Sequence, residues 1–128
     1  MTTLVTELND RKSEVAAELG MSFVRIKALR RLARTPMSMR ELAEQLTTDA
    51  PYTTVVVDDL EERGLVDRRP DPDDRRRKIV AATAQGVRAA QRAERILRRP
   101  PAALTALSPA DLIELERILD LVVAGSAR

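Results

Sequence analysis

The stretch GLVDRRPDPDDRRRKIVAATAQG, residues 64–86, decides how this chain is read. Leu65–Arg69 and Lys78–Ala82 are short runs rich in β-branched and small apolar residues, and both suit strands. Between them lies Asp-Pro turn chemistry, in which proline presets φ and aspartate folds back on its own backbone. The acids of this segment run into consecutive cations, Arg75, Arg76, Arg77 and Lys78. Taken alone, the segment reads as a charged linker, a processing or import signal, or a loop built to touch an anion. Its strand-like flanks make it the tip of a β-hairpin. Side chains alternate along a strand, so the four cations are not expected to point the same way together.

Upstream of the hairpin the sequence punctuates itself into helices. A helix over 3–19 places Leu4, Leu8, Val15 and Leu19 on one face and stops at Gly20. A second, over 21–34, turns Phe23, Ile26, Leu29 and Leu32 inward and its arginines outward, until Thr35-Pro36 breaks it. Ser38-Met39-Arg40-Glu41 fits a capping box, with Ser38 and Glu41 satisfying each other's free backbone N–H groups. Asp49, with Pro51 in the first turn, starts the next helix, which runs to Arg63 and ends at Gly64. Two short helices joined by a tight turn, the second well capped, form a helix-turn-helix.

Downstream, Thr83 caps a helix over 84–99 that Pro100-Pro101 stops. Ser108-Pro109 then opens another, on which Leu112, Leu115, Leu119 and Val122 recur at spacings of three and four, a coiled-coil-like seam. The fold class expected is mainly α with a small β-hairpin. Residues 21–83 form a winged helix-turn-helix, and 1–20 with 84–128 form a helical dimerisation region, within one compact domain overall.

Composition narrows the function. The 128 residues are 44% hydrophobic and 33% charged, enough to bury a core, which must be aliphatic because Phe23 and Tyr52 are the only aromatics. With no cysteine there is no disulfide, thiolate zinc site or thiol sensor, and with no histidine the usual proton shuttle near neutral pH is missing. No metal site is signalled, and an enzyme is not expected. No apolar run approaches the roughly 18 residues that span a bilayer, and the N-terminus lacks a basic-then-apolar secretory pattern, so a cytoplasmic protein is expected. The formal charge is only +2. Any nucleic-acid footprint must therefore come from clustering of cations.

The residues SMRELAEQL, then VVVDDLEERGLVDRRPDPDDRRRKIVAATAQG, carry a resemblance. A helix ending L-E-x-R-G-L-V (Leu60–Val66), a D-P-x-D-R-R segment (Asp71–Arg76) and a T-x-x-G helix start (Thr83–Gly86) resemble the MarR family of transcriptional regulators. The match is close over about 36–86, and the flanking helices agree in order and rough length. The resemblance implies a homodimer with interlocking terminal helices that grips pseudo-palindromic duplex DNA through two winged modules. It further implies repression, relieved in many members by a small, often phenolic, molecule. Relief by thiol oxidation is closed to a chain without cysteine.

Candidate site residues follow from both readings. On the helix over 50–63, Thr53, Val56, Val57 and Leu60 share a core face, leaving Ala50, Pro51, Tyr52, Thr54, Val55 and Asp58 on the other. The N-terminal part of such a helix meets base edges. Thr54 offers a hydrogen bond, Val55 suits a thymine methyl, and Tyr52 either reaches DNA or braces the turn. No arginine lies between Arg40 and Arg63, so bidentate guanine reading by this helix is not available. Asp58 and Asp59 must pair with cations or weaken DNA binding. By resemblance, Arg76 enters the minor groove and Asp74 braces it, which suits the negative potential of a narrow A·T-rich groove. Arg75, Arg77 and Lys78 then meet phosphates or the strand face. Arg40 is a candidate phosphate contact, with plain solvent exposure as the alternative.

Dimerisation is assigned to Leu4, Leu8, Leu112, Leu115, Leu119 and Val122. An effector pocket is expected between residues 1–26 and the central module, lined by Met21, Phe23 and Ile26, although helix packing explains the same residues. No cofactor is expected, and a small aromatic effector stays open. The competing function is a winged-helix protein-interaction module that binds DNA weakly or not at all.

Overall fold

The computed structural model describes residues 11–100 and 102–126; Leu4 and Leu8 lie outside them. Helix α1 covers Arg11–Leu19 and ends at Gly20, whose φ of +65° favours a residue without a Cβ. Helix α2 covers Phe23–Arg34 and buries Ile26, Ala28, Leu29 and Leu32. It closes where Thr35 turns extended ahead of Pro36, with the Thr35 N–H still donating to the Arg31 carbonyl.

The chain then makes an element that the sequence reading did not anticipate, strand β1, Met37–Ser38. Ser38 caps helix α3 (Met39–Leu46) by accepting from the Glu41 N–H at 3.1 Å, while the Glu41 carboxylate accepts from the Ser38 N–H at 3.4 Å. A cap residue needs extended dihedrals, and the same dihedrals allow Met37 and Ser38 to pair with Val80 and Ile79. Helix α4 covers Ala50–Glu62 and is capped by Asp49, which accepts from the Tyr52 N–H at 2.8 Å. Between the two helices Thr47 holds φ +55°. The Thr48 and Thr53 hydroxyls lie 2.7 Å apart, and Thr53 also donates to the Asp49 carbonyl, so hydroxyl bonds fasten the turn.

Gly64, at φ +76°, leads into β2 (Val66–Pro70), which pairs antiparallel with β3 (Lys78–Ala82) from Val66↔Ala82 to Pro70↔Lys78. The expected hairpin is thus two strands of a three-stranded sheet ordered β1-β3-β2. Pro70 is tolerated because β2 is an edge strand. Only Lys78 of the cationic run lies in a strand; Arg75 and Arg76 sit in the turn. The alternation argument therefore applies to Lys78 alone.

Helix α5 covers Ala84–Leu97, two residues shorter than the expected end. The Thr83 hydroxyl caps the Gly86 N–H and donates to the Gly64 carbonyl at 2.7 Å, while the Thr83 N–H donates to the Leu65 carbonyl. A Cβ on Gly86 would stand 1.9 Å from the Leu65 carbonyl oxygen. The T-x-x-G spacing thus ties the base of the hairpin to α5.

The core is aliphatic, as composition required: Val15 of α1, Ile26, Leu29 and Leu32 of α2, Leu42, Val56, Val57 and Leu60 of the two short helices, Val80 of β3 and Ile96 of α5. Each such side chain contributes about 1.5–3 kcal/mol through burial. Helix α5 packs on α2 and α1, with Arg92 pairing with Glu18 at 2.9 Å. It therefore belongs with the winged module in one unit, residues 11–98. Residues 99–100 and 102–126 belong to a second unit. It contains a 3-10 segment, Ala102–Ala106, absent from the sequence reading, and helix α6, Pro109–Ser126. The Ser108 hydroxyl caps α6 at Asp111. No residue of α6 is buried. No helix among the described residues is long and apolar enough to cross a membrane.

Candidate nucleic-acid interface

Helix α4 divides as its sequence pattern requires. Thr53, Val56, Val57 and Leu60 are fully buried, and Pro51, Tyr52, Thr54, Val55 and Asp58 face outward. The Thr54 hydroxyl donates to the Ala50 carbonyl at 3.0 Å, which leaves its oxygen as an acceptor toward anything docked on the helix.

Three of the four acids of α4, Asp58, Asp59 and Glu61, have arginine partners, while Glu62 at its C-terminal end is exposed. Arg68, on β2, reaches Asp58 at 2.6 Å and Glu61 at 2.8 Å. Asp59 accepts from Arg25 of α2 at 2.7 Å and from Arg63 at 2.9 Å. The Arg63 hydrogen bond, with that of Arg25, outweighs partial burial and holds the Asp59 carboxyl below its usual range. Arg25 is itself steadied by Ser22. The sequence called for cationic partners to Asp58 and Asp59 but did not single out Arg68 or Arg25. Arg25 lies 34 positions from its acid in sequence, and no local pattern announces such a pair.

At the wing tip the aspartates build the turn that presents the arginines. Asp73 N–H donates to the Asp71 carboxylate at 2.9 Å, Asp71 N–H to the Arg77 carbonyl at 3.0 Å, and Arg77 N–H to the Asp74 carbonyl at 2.9 Å. One Asp74 oxygen accepts from the Arg76 N–H at 3.1 Å and lies 3.4 Å from the Arg76 Nε. The rest of the Arg76 side chain is 92% exposed. Arg75 and Lys78 are exposed and make no ion pair among the described residues, whereas Arg77 leans back to Glu41 of α3 at 3.6 Å. Arg69 is held by Asp67 at 2.6 Å. The wing thus separates cations that neutralise the protein's own acids from cations offered outward. Arg40 is almost fully exposed, with only a loose 3.6 Å approach to Glu44.

The expected effector residues are placed otherwise. Met21 and Ile26 are buried in the core, and Phe23 edges a shallow groove of about 190 Å³ with Lys27, Arg30, Arg31 and Arg34. A larger cleft of about 480 Å³ opens between α2 and α5, floored by Ala33, Val87 and Ala90 and rimmed by Arg30, Arg34, Arg95 and Arg98. There Arg30, Arg34 and Arg98 converge on Glu94, so the α2 arginines are not simply a solvated face. No group of His, Cys, Asp and Glu among the described residues is arranged to hold a metal ion.

Comparison with known proteins follows the same geometry. Residues 22–78 match the model of the MarR family, a span that includes α2 to the start of β3. The chain carries a MarR family domain. No curated protein matches its sequence. Among solved structures, it is similar to a mutant MepR from S. aureus bound to an oligodeoxyribonucleotide, at 18% identity and TM-score 0.74, over 94% of this chain and 90% of that one. It is also similar to apo wild-type MarR from E. coli, at 22% identity and TM-score 0.73, over 91% and 88%. A third neighbour is the transcriptional regulator BldR from Sulfolobus solfataricus, at 26% identity and TM-score 0.66, over 93% and 85%. These likenesses place the whole described architecture in the MarR winged-helix fold. The MarR family is one of transcription regulators, not of enzymes.

Proposed function

We propose that this MarR chain is a dimeric transcriptional regulator that binds double-stranded DNA at pseudo-palindromic operators and represses by occluding promoters. The observation that carries the reading is the wing tip, where Asp74 steadies an otherwise exposed Arg76. Beside it stands α4, with Asp58, Asp59 and Glu61 already paired to arginines. A guanidinium set this way suits a narrow minor groove, and the pairing of these three acids lowers the electrostatic cost of placing α4 in the major groove. Arg75, Lys78 and Arg40 supply exposed charge for phosphates. Arg77 contributes less, being drawn toward Glu41. The DNA-bound MepR neighbour supports the same partner.

A homodimer completes the reading. Helix α6 exposes Leu112, Leu119 and Val122 of the seam, and also Ile113, Leu121 and Val123. Apolar surface on that scale marks an interaction face. Leu115, half-buried, lies on the same helix, and residues 1–20 would join through Leu4 and Leu8. Two-fold symmetry then sets the α4 helices one DNA turn apart, about 34 Å. Relief by a small aromatic effector belongs to the same proposal; with Met21 and Ile26 closed into the core, such a molecule would enter beside Phe23.

Selection of genomic duplex fragments by the purified protein, followed by footprinting, tests the function. The expected result is a two-fold-related protected site whose binding weakens linearly in log K against log salt. Failure to select any duplex, or a flat salt response, would favour the protein-interaction reading, for which the exposed Tyr52 and Val55 would be the docking surface.

A further inference from the structure

The exposed face of α4 offers an unusual set of groups to a DNA base edge. Its side chains include no cation; of its exposed carboxylates Asp58 and Glu61 are held by Arg68, and Glu62 lies at the far, C-terminal end. What remains near the helix N-terminus is the Pro51 ring, the Tyr52 phenol, the Thr54 hydroxyl and the Val55 methyl groups, with Val55 53% exposed. The Thr54 hydroxyl donates to the Ala50 carbonyl, so with that bond kept it meets a base as an acceptor.

Each base pair presents a different major-groove edge. Guanine shows two acceptors and calls for paired donors, which Thr54 and Val55 cannot supply; adenine shows an N6 donor, and thymine a C5 methyl group. We infer that α4 reads A·T pairs, with Val55 packed on a thymine methyl and the Thr54 oxygen accepting from an adenine amino group. The inference rests on the DNA-binding reading above and adds the base class that the helix selects. Cytosine also presents an amino donor that the Thr54 oxygen could meet, so the choice of A·T rests on the thymine methyl at Val55; guanine is disfavoured because neither Thr54 nor Val55 supplies the paired donors its two acceptors call for.

The methyl group can be removed from the DNA without changing base pairing. In duplexes selected by the full-length protein, thymine is replaced by deoxyuridine at each half-site position in turn, symmetrically, and affinity is measured by fluorescence anisotropy. One position per half-site is expected to weaken binding about fourfold, and about fifteenfold for the symmetric pair, the worth of one buried methyl in each. Val55→Ala, an exposed change that favours the helix, should bind the thymine duplex more weakly and show no further loss with deoxyuridine. Tight binding that is indifferent to deoxyuridine at every position overturns the inference and leaves DNA binding intact. A methyl dependence that persists in Val55→Ala overturns the assignment to Val55. Failure to select any duplex removes both readings together.

Discussion

Arg68 of the wing strand β2 lies 2.6 Å from Asp58 on the outer face of α4. The same guanidinium holds Glu61 at 2.8 Å, so one residue joins the wing to α4 and cancels negative charge on the helix proposed to enter the major groove. Arg68→Ala should cost little in stability, about 0.2–1 kcal/mol, because the pair is partly exposed. Its effect on DNA affinity should be larger, on the order of tenfold, since two uncompensated carboxylates then face phosphate. Asp58→Asn in the Arg68→Ala background should recover part of that loss. Anisotropy titrations alongside thermal melts check both, and equal affinity of wild type and Arg68→Ala would contradict the role.

Acid stability follows from Asp59 and Glu94. Hydrogen bonding from Arg63 and then Arg25 lowers the Asp59 pKa from its ordinary 3.8, and hydrogen bonding from Arg30 lowers that of Glu94 from 4.5. A carboxylate depressed by folding contributes stability that is complete above its unfolded pKa and is lost as pH falls through the folded one. Urea midpoints should therefore stay level from pH 8 to about 5 and decline below about 4.5. The absence of histidine removes the side chain that ordinarily titrates between those limits. Asp59→Asn should be less stable than wild type at pH 7, with the gap closing toward pH 2. A gap that widened with acid would reverse the sign and refute the assignment.

Of the four glycines, Gly86 has the least room for a side chain. Its missing Cβ makes room for the Leu65 carbonyl and, at 3.3 Å, for Leu29. Gly86→Ala must push α5 away from the hairpin base and should destabilise by about 3 kcal/mol, lowering Tm by ~10 °C. Gly125→Ala on α6, with nothing within 4 Å of the added carbon, should be neutral or slightly stabilising. Calorimetry on the two variants separates a packing requirement from a general cost of replacing glycine.

Much of this architecture is legible locally. The Ser38–Glu41 capping box, the Asp49 cap, the stops at Gly20 and Gly64 and the T-x-x-G start each depend on residues a few positions apart. Strand β1 was not legible: it is two residues long, and its pairing with Val80 and Ile79 is set by tertiary approach. The partition of cations was also hidden. Whether Arg68, Arg25 or Arg30 faces solvent or an acid depends on helices and strands distant in sequence. The Asp74–Arg76 contact was expected from the family resemblance alone; the two residues sit two positions apart, within one turn.

The central claim is that duplex DNA is gripped through the wing, and Arg76 tests it most directly. Wild type and Arg76→Ala are titrated on the same selected operator at several salt concentrations, with A·T-rich and G·C-rich flanks. Because the side chain is almost fully solvated, the variant should melt as wild type does. It should bind roughly tenfold or more weakly to the A·T-flanked site, lose its preference for A·T flanks, and shed about one unit of salt slope if Arg76 also neutralises a phosphate. Unchanged affinity, flank preference and salt slope would contradict the account.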